Sequence, residues 1–147
     1  MGLNKNTVSS DVTAGTTGTA AEYNNLREDA RLNIKDDFSD SDGATITFDM
    51  SPATGAPIHK VTLGGNRTLV FSGMLVGQHF RIELTQDGTG SRTVTWPANI
   101  TWVNSLAPVL TTTNGKKDVF IFYCTSLTAG PGSTPTYDGY IAGQNMG

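Results

Sequence analysis

A single cysteine, Cys124, excludes an intramolecular disulfide, so the fold has to be held by its core. Within "VFIFYCT" that residue reads as a small core hydrophobe rather than a nucleophile. Charge is equally scarce. Only 16% of the 147 residues are Asp, Glu, Lys or Arg, the net charge is -3 and the pI lies near 5.1. That balance provides no basic field and excludes nucleic acid as the main partner. No apolar run approaches the length that spans a bilayer, so no membrane association is expected. The polar start, "MGLNKNTVSSDVTAGTTGTAAEY", lacks the apolar core of a secretory signal. A myristoylation pattern fails at Asn6. The sequons Asn66-Arg67-Thr68 and Asn99-Ile100-Thr101 have no secretory context. The expected setting is a cytoplasm.

Motifs of chemistry are missing too. There is no G-x-S-x-G elbow, and "SPATGAP" lacks the Lys and Ser/Thr of a phosphate loop. The two histidines, His59 and His79, each open a strand pattern without a second ligand at metal spacing, and read as surface or edge residues. Asp40, Asp42 and Gly43 resemble the middle of a calcium loop. The frame puts Phe38 at its first ligand position and Asp49 at its twelfth, so the segment reads as a solvated loop. Asp49 and Glu83 fall on polar strand faces and read as exposed. No catalytic residue, metal, cofactor or enzymatic activity is expected.

What the chain does contain is β-forming. Seventeen glycines, many threonines and a 37% hydrophobic content fit one all-β domain. Residues 1–18 are a polar arm that cannot bury a core of its own. "TAAE" is a capping box, Thr19 with Glu22, and it opens a helix of about three turns stopping at Asn33. Tyr23, Leu26 and Ala30 share one stripe of that helix and Arg27 falls away from it. Residues 35–43 form an acidic loop, and from Ala44 the period becomes two. Ile46, Phe48 and Met50 point one way, as do His59, Val61 and Leu63, and Phe80, Ile82 and Leu84. "LTQDGTGSRTVTWP" (84–97) reads as a polar hairpin with Val94 and Trp96 on one face. "NITWV" and "PVLTTT" read as short strands, "VFIFYCT" as a strand buried on both faces, and a last strand is expected around Tyr140. The expected fold is mainly β: an antiparallel sandwich or jelly roll of about eight short strands over 44–147, preceded by the arm (1–18) and by the helix and loop (19–43). The aromatics Trp96, Trp102 and Tyr123 suit an oligomer interface or the stacking of a glycan ring.

Three stretches resemble tailed-bacteriophage virion proteins. "GTTGTAAEYNNLREDA" (15–30) is similar to a segment near the start of many of them. "NRTLVFSGMLVGQHFRIELTQDGTGSRTVTWPANITW" (66–102) resembles the β-rich modules of tail-fibre, head-fibre and capsid-surface proteins. "APVLTTTNGKKDVFIFYCT" continues that pattern, with Cys124 where an aromatic is usual. The resemblance implies a non-enzymatic structural protein of the virion, assembled in the bacterial host cytoplasm. Its size favours a capsid decoration protein attached through the N-terminal arm. The alternatives are a head-fibre or tail-fibre component, or a carbohydrate- or receptor-binding module contacting a host-surface glycan. The implied partners are the major capsid protein or other virion proteins, within a homotrimer. Thr19, Tyr23, Leu26 and Arg27 are the residues expected to serve attachment or packing.

Overall fold

The computed structural model describes residues 38–51, 56–127 and 134–147. The expected arm and the helix carrying Thr19, Tyr23, Leu26 and Arg27 lie outside the described residues. Nine strands follow one another: β1 (Phe38–Ser39), β2 (Thr45–Asp49), β3 (Ile58–Leu63), β4 (Arg67–Ser72), β5 (His79–Gln86), β6 (Val94–Thr95), β7 (Ile100–Trp102), β8 (Lys117–Leu127) and β9 (Pro135–Met146).

The strands form a six-stranded sheet in the order β1-β3-β5-β8-β9-β7 and a three-stranded sheet in the order β2-β4-β6. From β1 to β6 every successive strand changes sheet, and every neighbour within a sheet is parallel. The chain therefore winds as a short β-coil, with one strand of each turn in each sheet. Phe38 lies beside His59 and His59 beside Ile82, so one turn takes 21 residues and the next 23. The expected antiparallel pairing of these strands is corrected accordingly. Antiparallel pairing appears only where β8 joins β5 and β9, while β7 runs parallel to β9.

The connections explain the difference. A hairpin returns the chain to its own sheet, whereas these turns carry it across the core. Residues 84–97 do not form the expected hairpin, because β5 belongs to one sheet and β6 to the other. Asp87 organises that corner: its Oδ1 accepts from the amides of Thr89 and Gly90 at 3.0 and 2.9 Å. Arg92 donates to Asp87 through Nε and Nη2, with Nη2 2.7 Å from Oδ2. Gly90 sits at φ +74°, and a Cβ there would lie 2.5 Å from the Thr112 carbonyl, so the corner needs glycine. "PVLTTT" is likewise not a strand. It is a loop tied to β8 by Asp118, which accepts from the Thr111 amide at 2.6 Å and hydroxyl at 2.7 Å.

The alternation of the sequence places the core correctly. Ile46 and Phe48 of β2, Val61 and Leu63 of β3, Phe80, Ile82 and Leu84 of β5 and Phe120 and Phe122 of β8 are all buried in one cluster. Phe71 of β4 enters from the smaller sheet. Its ring centroid lies 4.9 Å from those of Phe80 and Phe122 and 5.3 Å from that of Tyr137, so the sheets meet through edge-to-face rings. Each such side chain contributes about 1.5–3 kcal/mol by leaving water.

Candidate functional site

The buried polar groups separate first from the surface. His59, expected at a surface or edge, is 1% exposed. Its Nδ1 lies 2.9 Å from Asp40 Oδ2 and its ring packs edge-on against Phe48 at 5.2 Å. The expected solvated acidic loop is thus partly tied down, and Asp42 accepts from Arg67 Nε at 2.8 Å. That hydrogen bond holds the Asp42 carboxyl below the usual carboxylate range. Glu83, expected to be exposed, is 5% exposed. Arg81 donates to one of its oxygens and Lys117 Nζ lies 3.0 Å from the other, which compensates the buried charge. Cys124 is buried and burial pushes its thiol pKa up, away from thiolate chemistry. Among the described residues no three His, Cys, Asp or Glu side chains gather where they could hold a metal ion.

The aromatics divide between core and surface. Trp102 is 8% exposed, and half-buried Trp96 packs against it at 5.0 Å and against Phe120 at 4.9 Å. The Trp96 indole donates its Nε1 hydrogen to the Pro108 carbonyl at 3.1 Å. Trp102 belongs to the core cluster and Trp96 packs against it. Tyr123, on the same strand as Phe120 and Phe122 but on the opposite face, is 46% exposed.

Tyr123 has company that the sequence pattern did not reveal. β8 lies between β5 and β9, and the ladder puts His79, Tyr123 and Asp138 side by side. The rings of His79 and Tyr123 are 5.7 Å apart, and Tyr140 stands edge-on to Tyr123 at 6.0 Å. Tyr140 is 43% exposed. It also lines an open groove of about 190 Å³ at the β7–β9 junction, with Thr101, Trp102, Val103, Asp138 and Gly139. The parallel β7–β9 register sets Thr101 beside Asp138 and Trp102 beside Gly139. Among the described residues no hydrogen bond or ion pair reaches the half-buried Asp138 side chain.

The groove thus gathers the exposed ring of Tyr140, the Asp138 carboxylate and the Thr101 hydroxyl, with Tyr123 beside Tyr140. They do not supply the nucleophile-and-base geometry of a covalent catalyst. Missing this site from sequence has a simple cause. Tyr140 and Asp138 sit in a glycine-rich tail, and only the β8–β9 register brings them to Tyr123.

Residues 46–124 match a family model described as "Putative phage tail fibre C-terminal domain". The match runs from β2 into β8 and so takes in most of the β-coil. No curated protein and no solved structure matches the chain. The family match covers more than half of the sequence, and the chain belongs to this phage tail fibre family.

Proposed function

We propose, from that membership, that this protein is a non-enzymatic structural component of a phage tail fibre. The family match over residues 46–124 carries the reading and favours the tail-fibre alternative over capsid decoration. The architecture agrees with it. A β-coil closed by corner ion pairs and edge-to-face rings presents a rigid surface, which is what a fibre module requires. Self-association, with the homotrimer as the proposed state, is supported by Leu106 and Val109, which are 77% and 79% exposed on the loop before β8. The N-terminal arm and the residues Thr19, Tyr23, Leu26 and Arg27 remain the proposed attachment to other virion proteins.

Fractionation of the particle tests this reading. Virions dissociated into DNA-filled heads and free tails, separated on a density gradient and probed with an antibody, should show the protein with the tails. Recovery with tail-free heads would restore capsid decoration.

A further inference from the structure

We propose that Asn114 is a site of spontaneous covalent modification in the folded protein: its side-chain amide is lost as ammonia, and the isoaspartate formed loosens the corner between the two sheets. The inference rests on the turn at Thr113–Lys116, closed by the Lys116 amide on the Thr113 carbonyl, and not on where the module sits on the particle.

The chemistry needs a particular neighbour. Solvent hydroxide takes the amide proton of the following residue, and the bared nitrogen attacks the asparagine Cγ. A C–N bond closes a succinimide ring as the Cγ–Nδ2 bond breaks, and ammonia leaves with a proton from water. Water then adds at either ring carbonyl carbon. Opening on one side gives aspartate; opening on the other gives isoaspartate, whose main chain runs through Cβ. A side chain on the following residue crowds the attacking nitrogen, so glycine is the permissive neighbour. Asn114 is the one asparagine of the sequence that glycine follows.

The fold leaves this pair open to reaction. Both residues are exposed. Gly115 sits at φ +69°, which glycine adopts at little cost, and nothing lies within 4 Å of where its Cβ would be. The Asn114 amide reaches the Gly88 carbonyl at 3.4 Å, longer than the roughly 2.7–3.2 Å of a normal N–H···O bond. The Gly115 amide is shared between the Gln86 and Asp87 carbonyls at 3.2 and 3.4 Å, so its proton is weakly held. Asn104 is exposed as well, but Ser105 follows it and brings a side chain.

The consequence follows from what flanks Asn114, because the turn grips the corner on both sides of it. Upstream, the Thr112 carbonyl accepts from the Ser91 amide at 2.8 Å. Downstream, the Lys116 carbonyl accepts from the Gln86 amide at 2.8 Å. Between these bonds the Asn114 main chain rests on Gly90. A Cβ on Gly90 would lie 3.0 Å from the Asn114 nitrogen and 3.3 Å from its Cα. Isoaspartate adds an atom to the main chain inside this span, so the two bonds and the packing on Gly90 cannot all be kept. It also replaces the group that donates to the Gly88 carbonyl by a carboxylate, which only accepts.

Ageing the full chain below its thermal midpoint, at pH 6 and pH 8, tests the proposal by peptide mass spectrometry. The tryptic peptide 93–116 should convert to its acid form, with fragmentation placing the change at Asn114 and isoaspartate as the major product. Hydroxide drives the step, so conversion should be at least severalfold faster at pH 8. Asn114→Gln, whose extra methylene prevents closure of the same ring, should abolish it. The aged protein should melt below the fresh one. Asn114→Asp, which carries the new charge on a normal main chain, should melt close to the fresh protein, and Asn114→Gln should keep its midpoint through the incubation. Melts before ageing establish that each variant is folded; if Asn114→Gln is not, Asn114→Ser replaces it. The proposal is overturned by an Asn114 that stays unmodified, by conversion that begins at Asn104, or by an aged midpoint equal to the fresh one.

Discussion

Trp102 Cζ3 lies 2.8 Å from the point that a Cβ on Gly139 would occupy, and Ile100 Cγ2 lies 2.9 Å from it. Neighbouring strands thus meet at a position where only glycine fits, and the tryptophan ring uses the space. Gly139→Ala should push the ring aside and destabilise the protein by about 1–3 kcal/mol, the usual cost of overpacking a core. A thermal or urea melt measures it. An unchanged midpoint would mean that the Trp102 ring is free to move.

Tyr137 is fully buried, and its hydroxyl has no hydrogen-bond partner among the described residues. Burial first, and Cys124 second, push its pKa from the ordinary 10 to about 12. A folded pKa above the unfolded one means stability is complete below about pH 10 and is lost as pH rises toward 12. Tyr137→Phe should remove that alkaline loss. At pH 7 it should leave stability unchanged or raise it by about 1 kcal/mol, because a buried unsatisfied hydroxyl disappears. Melts of both proteins at pH 7, 10 and 11.5 decide the matter, and parallel losses in the two would contradict it.

Acid should act through the corners. The Arg92 hydrogen bond, helped by the Gly90 and Thr89 amides, lowers Asp87 from the ordinary 3.8 to about 2, and Arg67 lowers Asp42 in the same direction. A depressed folded pKa gives stability that is present above about pH 4 and lost as pH falls toward 2. The thermal midpoint should therefore be flat from pH 7 to 5 and decline below 4. Asp87→Asn should lower the plateau and flatten the decline. An acid profile identical to that of the parent would remove Asp87 from the explanation.

Inward faces were legible in the sequence, partners were not. The alternation in "ATITFDM" and "HFRIELTQ" identifies Ile46, Phe48, Phe80 and Ile82 as core, because a period of two needs no knowledge of which strand lies alongside. Parallel winding was hidden because "DGTGS" has the same composition whether it closes a hairpin or turns a corner between sheets. His59 shares its face with Val61 and Leu63, so its burial was written in the pattern; its Asp40 partner, 19 residues away, was not. Glu83 occupies a polar face that is nonetheless covered, by Arg81 and Lys117, and no local pattern signals that. The tyrosine groove has the same character: Tyr123, Asp138 and Tyr140 meet through strand register alone.

Location on the particle is the most direct measurement. Gold-labelled antibody against residues 38–147, applied to intact virions and viewed by electron microscopy, should mark the tail fibres and leave the capsid bare. Gold distributed over the capsid surface, with unlabelled fibres, would contradict the assignment to a tail fibre.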